Sequence, residues 1–207
     1  MHSFNIMLII LFMCISTSAR LPQEYEEVDD TEQLLFTVTT PYNLAYTYQM
    51  KHAYMLGSHF SREPNRTMKN IDLVMANPIN ACSPLLNTFK VPTAVLIVRG
   101  DCSFTEKANY AQDAGAAIAM VTDISNLLSE YRGRNEFVNM IPDATLRTVS
   151  IPCVFISSWT GHHFLDHLEN ESDKIKMNIP VEKVTNPWFH HQKKAPWENW
   201  SDDVVLI

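Results

Sequence analysis

The sequence predicts an α/β fold, and three observations carry that prediction. Residues 94–98 and 116–121 are continuous apolar runs, short enough for strands buried on both faces. Between them Ser103 and Glu106 stand three residues apart, the spacing of a capping box at a helix start. A third apolar run follows at residues 151–156. Strand, helix and strand in that order form a parallel βαβ unit, which crosses over right-handed. The expected architecture is one domain, a mixed sheet with flanking helices and a loop-rich edge. A chain of 207 residues buries a core for one such domain and is tight for two.

The elements follow in chain order. Residues 6–15 are apolar but too short to span a bilayer core of about 30 Å as a helix. Thr17-Ser18-Ala19 then supplies the small residues of a signal-peptidase site, so residues 1–19 read as a signal peptide cleaved after Ala19. The expected mature chain is soluble, exported through the secretory pathway and extracellular. Residues 20–33 carry Glu24, Glu26, Glu27, Asp29, Asp30 and Glu32, and read as an acidic mobile tail. Residues 34–39 are rich in apolar and β-branched side chains, as a strand is. Residues 41–60 hold Tyr42, Tyr46, Tyr48, Tyr54 and Phe60 without an alternation that sets a register. Residues 61–70 read as a polar loop and 71–75 as a short strand.

In the helix after Ser103, Phe104, Ala108, Ala111 and Gly115 fall on one face at i, i+4, i+7 and i+11, and Gly115 suits the helix end. Residues 122–149, with Arg132, Arg134, Glu136 and Asp143, read as a long loop with a short helix. Residues 160–168 form an amphipathic helix that turns Phe164, Leu165 and Leu168 inward, and residues 175–181 an edge strand. The domain thus spans 34–182, and a C-terminal tail of Pro and Trp spans 183–207. Trp188, Trp197 and Trp200 lie in that tail. Such side chains seek cover, either on the domain or on a partner, and all three are candidate partner contacts.

Charge and cysteines bound the function. The net charge is −7 and no basic run is interleaved with aromatics, which argues against nucleic acid and anionic lipid as partners. Cys14 leaves with the signal peptide. Cys82 and Cys102 sit in turn-like surroundings, whereas Cys153 lies inside the apolar run 151–156. In an oxidising compartment this predicts a Cys82–Cys102 disulfide with Cys153 free, pairings through Cys153 being the alternative. Closing a loop of that size contributes about 3 kcal/mol in the chain-entropy description. Asn65, Asn170 and Asn199 each begin an N-x-S/T sequon, Asn65 in the most polar stretch.

The stretch Val95-Leu96-Ile97-Val98-Arg99-Gly100-Asp101-Cys102-Ser103-Phe104, with Lys107 and Ala114-Gly115-Ala116 after it, resembles the core motif of the protease-associated domain family. Ala81-Cys82 and the Ile151-Pro152 strand stand where that family places a paired cysteine and an Ile-Pro strand. The resemblance covers about residues 70–182, and 34–182 is the corresponding protease-associated-like domain. It implies a compact α/β domain without catalytic residues, serving as an interaction or lid module.

Other motifs weigh less. Arg99-Gly100-Asp101 spells an adhesion tripeptide, but the family motif itself requires Arg-Gly-x-Cys at this turn. His162-His163-x-x-Asp166-His167 is an inverted zinc-helix pattern with a shortened base and no clear third ligand, so a solvated helix face is the better reading; His190-His191 reads the same way. There is no Gly-x-Ser-x-Gly elbow and no phosphate loop, and five glycines are few for one. Cys153 has the apolar neighbours of an inert thiol. The sequence therefore points to a secreted, glycosylated, non-enzymatic protein-binding module with no cofactor, no metal and no stable membrane insertion. An accessory domain acting with a protease, a hydrolase, or a soluble cargo-binding relative of lumenal sorting receptors are the alternatives.

Overall fold

In the computed structural model, residues 33–53, 61–62, 64, 66–124, 137–145, 147–180 and 193–198 are described here. Seven strands close into a barrel in the order β1-β2-β6-β5-β4-β3-β7, with β7 returning to β1. They are β1 Gln33–Thr40, β2 Thr47–His52, β3 Met68–Met75, β4 Thr93–Val98, β5 Ile118–Thr122, β6 Cys153–Ile156 and β7 Lys176–Ile179. Helix α1 is Phe104–Asp113 and helix α2 is Ser158–Asn170.

The βαβ expectation holds. β4 pairs with β5 in parallel, and β3 and β6 extend that parallel set on either side. Ser103 caps α1 by accepting the Glu106 N–H at 3.1 Å. Gly115, at φ +87, ends it, and a Cβ there would lie 2.6 Å from the Phe89 carbonyl oxygen. Helix α2 extends two residues beyond the expected bounds at each end, again behind a serine, with Ser157 Oγ accepting from the Thr160 N–H at 3.3 Å.

The sheet differs from expectation by closing. Residues 175–181 do not form an edge strand: β7 lies between β1 and β3, antiparallel to both. β2 likewise fills the gap between β1 and β6. Closure removes the unpaired edges that an open sheet leaves. β3 begins at Met68, inside the stretch read as loop, because Met68 pairs with Ile179 across an irregularity in register. No helix occurs in the described part of 122–149; residues 125–136 and 146 lie outside the described residues, as do 1–32, which hold the signal segment and the rest of the acidic tail, and Gln33, the last residue read as acidic tail, instead begins β1.

Strand alternation divides the apolar residues between two layers. Phe36, Tyr48, Leu73, Leu96, Met120 and Ile156 fill the barrel, together with Phe164 and Leu165 of α2. Val95, Ile97, Val121 and Phe155 point outward, under Ala108 and Ala111 of α1. Outside that layer the Cys82–Cys102 disulfide joins the two turns flanking β4. Lys107 of α1 is buried beneath it and donates to the carbonyls of Asn80 at 2.5 Å and Gly100 at 2.6 Å. Burial draws its pKa down, against the pull of Asp101 and Glu106.

Candidate peptide-docking groove

β6 is four residues long, and its pairing with β2 covers only Met50–His52. The N-terminal half of β2 therefore offers an edge that no strand fills, a place where backbone groups need another partner. Residues 193–198 take that place. The Thr47 N–H donates to the Lys193 carbonyl at 2.8 Å, and Thr47 pairs in parallel with Lys194. Lys193 sets its ammonium 4.3 Å from the Tyr46 ring centroid and 4.9 Å from that of Tyr42. Ala195 is buried.

Trp197 and Glu198 anchor the segment. The Trp197 ring packs edge-on to Tyr46 at 5.7 Å and lies 3.9 Å from His163, centroid to centroid. Its Nε1 donates to Thr160 Oγ1 at 3.3 Å. Glu198 is 8% exposed. One carboxylate oxygen accepts from Thr160 Oγ1 at 2.5 Å and Ser157 Oγ at 3.4 Å, the other from the Gln49 N–H at 3.1 Å. Ser157 and Thr160 are the residues that begin α2, so the carboxylate sits at the positive end of a 13-residue helix.

The electrostatics of the groove follow from this packing. Burial, reinforced by the Glu198 carboxylate, pushes the Tyr48 phenol well above its ordinary pKa, and its hydroxyl donates to the Leu44 carbonyl at 2.8 Å. Burial and the neighbouring His162 lower the pKa of His163, with Asp166 opposing. The groove combines a strand edge, an aromatic shelf and a carboxylate seat.

The other residues singled out from sequence lie as follows. Cys82 and Cys102 are bonded, and Cys153 is free and buried, its thiol pushed up to about 12 by burial. Arg99 pairs with Asp123 at 2.8 Å, and Asp101 accepts from Asn80 Nδ2 at 2.8 Å, so both charged members of the tripeptide are engaged. His163 meets Trp197, whereas His167 bonds the Asp173 carbonyl at 2.9 Å; among the described residues no three His, Cys, Asp or Glu side chains gather as a metal site would need. Asn170 ends α2 in an exposed position. Asn65, Asn199, Trp188, Trp200, His190 and His191 lie outside the described residues. Sequence reasoning marked Trp197 but passed over Glu198, Ser157 and Thr160. The available signal was a carboxylate beside the tryptophan and a Ser-x-x-Thr pair ahead of an amphipathic helix.

The PA domain family matches residues 69–164. The chain is 28% identical to the PRADC1-like protein of Drosophila melanogaster over 189 residues, 89% of this chain and 91% of that protein. It is 33% identical to signal peptide peptidase-like 2 of Arabidopsis thaliana over 120 residues, 56% of this chain but only 21% of that protein. Among solved structures, it aligns with the aminopeptidase from Aneurinibacillus sp. strain AM-1 at 17% identity and a TM-score of 0.44, over 73% of this chain and 30% of that one.

Proposed function

We propose, from the premise that residues 69–164 of this chain form a PA domain, that the protein is a secreted, non-catalytic glycoprotein module that holds other proteins by an extended segment. The observation that supports this most is the seating of residues 193–198 on β2 and α2. The groove binds a peptide by adding it to a strand edge and by receiving an aromatic and an acidic side chain in sequence. In the protein alone its own tail fills the groove, and a partner with the same aromatic-acidic pair competes for it. The Cys82–Cys102 bond fits an oxidising compartment, and no described helix is long and apolar enough to cross a membrane. Burial of the one free described thiol supports the non-catalytic reading. Asn65, Asn170 and Asn199 are the proposed glycan sites, Asn170 being exposed at the end of α2.

The test uses the full chain carrying Trp197→Ala and Glu198→Ala, which frees the groove, and a labelled peptide of the sequence Lys-Lys-Ala-Pro-Trp-Glu. Saturable binding to the variant, at least tenfold weaker to the native chain, is expected, since a tethered tail competes at an effective concentration of roughly millimolar. A variant that keeps its native melting transition and binds no peptide overturns the reading. A second reading, an accessory domain acting with a protease, is favoured by the likeness to signal peptide peptidase-like 2. It predicts that the purified chain alters peptide turnover by a protease while cleaving nothing itself.

A further inference from the structure

At the other end of the barrel lies a cavity of about 470 Å³. Its place follows from the pairing. Pro92, Ala117 and Pro152 line it, and each immediately precedes the first residue of β4, β5 or β6. The first residues of β3 line it too. The cavity thus opens at the amino ends of four adjacent parallel strands, whereas the docked tail lies beyond the carboxyl end of β6.

The described lining has one sign of charge. Arg62, Arg66 and Lys69 are its ionisable residues, and Thr67 and Ser150 add hydroxyl groups. This is a cationic site in a chain of net charge −7. Four other cations of the domain are matched: Lys174 and Lys176 with Asp72, Arg147 with Asp143, Arg99 with Asp123. No ion pair joins the Arg62 or Arg66 guanidinium to another described residue. Both arginines are exposed at the rim, where a fork of N–H donors can take a carboxylate in two parallel bonds. The rest of the wall is apolar, with Pro64, Pro152, Ile151 and Ile71 among its residues.

We propose that this cavity binds an acidic peptide segment of a partner protein, its carboxylates on Arg62 and Arg66 and an apolar side chain against the proline-lined wall. Charge complementarity selects an anion, and the apolar wall selects a peptide with an apolar side chain over a sulfated glycan, which has no such side chain to bury. The site is separate from the tail groove and does not depend on it.

The experiment is fluorescence anisotropy of the full chain, prepared free of N-glycans because the proposed glycan site Asn65 stands between Pro64 and Arg66 of the lining, with a labelled Glu-Glu-Pro-Leu-Glu-Glu peptide at low salt. The expected result is saturable binding that weakens at least tenfold in the double variant Arg62→Glu, Arg66→Glu, and weakens by a smaller factor in Arg62→Gln, Arg66→Gln. A peptide with glutamines in place of its glutamates binds at least tenfold more weakly. Binding is unchanged in the Trp197→Ala, Glu198→Ala chain. Absence of binding by native protein, equal affinity in the arginine variants while their melting transitions match the native one, or tighter binding of a heparin-derived hexasaccharide to the same arginines would each overturn the proposal.

Discussion

Lys107 donates to the Gly100 carbonyl at 2.6 Å and the Asn80 carbonyl at 2.5 Å, so one buried ammonium on α1 ties together the two turns that the disulfide also joins. Methionine in its place keeps the aliphatic volume and leaves the Asn80 carbonyl without a donor, while the Gly100 carbonyl keeps the Cys102 N–H at 2.8 Å. An unsatisfied buried group costs about 1–3 kcal/mol, so Lys107→Met is expected to lower the unfolding free energy by about 2 kcal/mol. Equilibrium denaturation in urea checks this; a loss under about 1 kcal/mol would show that water replaces the ammonium.

The disulfide makes a related prediction. Cys82→Ser with Cys102→Ser opens a loop with a sequence separation of 20, worth about 3 kcal/mol in the chain-entropy description. Because Lys107 clamps the same turns, the combined variant should lose less than the sum of the separate losses. Cys153, fully buried and with its thiol pushed up to about 12, should resist iodoacetamide until the protein unfolds. Alkylation of Cys153 at native temperature and neutral pH would contradict its burial.

Local signals in the sequence carried the βαβ unit, the Ser103 cap of α1 and the disulfide, whereas the Ser157 cap of α2 went unread. A capping serine such as Ser103 acts within a few residues, and a continuous apolar run reports a strand buried on both sides. Closure of the barrel was not legible. Thr37 pairs with Asn178, and β7, four residues with only Met177 and Ile179 buried, has too short a period to announce two neighbours. The groove was half legible. A tryptophan beside a proline signals a side chain in need of cover, but the seat for Glu198 joins Gln49, Ser157 and Thr160 from separate elements, which no spacing reveals.

Tail docking should weaken in mild acid. His163 lies against Trp197, and burial lowers its folded pKa, with His162 adding to the shift and Asp166 opposing it. A free imidazole titrates near about 6.5. Above that pH both docked and undocked states are neutral at this position and the histidine exerts no bias. As pH falls through that value the undocked state takes the proton first, and the equilibrium moves toward release. The indole N–H resonance of Trp197, bonded to Thr160, is expected to lose protection from exchange between pH 7.5 and 5.5 in excess of the intrinsic rate change. His163→Phe should abolish the excess; an equal excess in that variant would exclude His163 as its source.

Gly161 gives a prediction opposite in sign to helix propensity. Alanine in a helix interior is ordinarily better than glycine by about 1 kcal/mol. Here a Cβ on Gly161 would lie 2.0 Å from Thr122 Oγ1 and 2.6 Å from its methyl carbon, so α2 must lift from the end of β5. Overpacking of that kind costs about 1–3 kcal/mol and outweighs the propensity gain. The displacement also bears on the groove. Thr122 Oγ1 donates to the Ser157 carbonyl at 3.2 Å, and Ser157 and Thr160 hold the Glu198 carboxylate. Gly161→Ala should therefore lower the melting temperature and, in the same protein, raise affinity for the Lys-Lys-Ala-Pro-Trp-Glu peptide less than freeing the groove does, because the seat itself is moved. A melting temperature that rises would mean that α2 meets β5 with more room than the backbone separation allows.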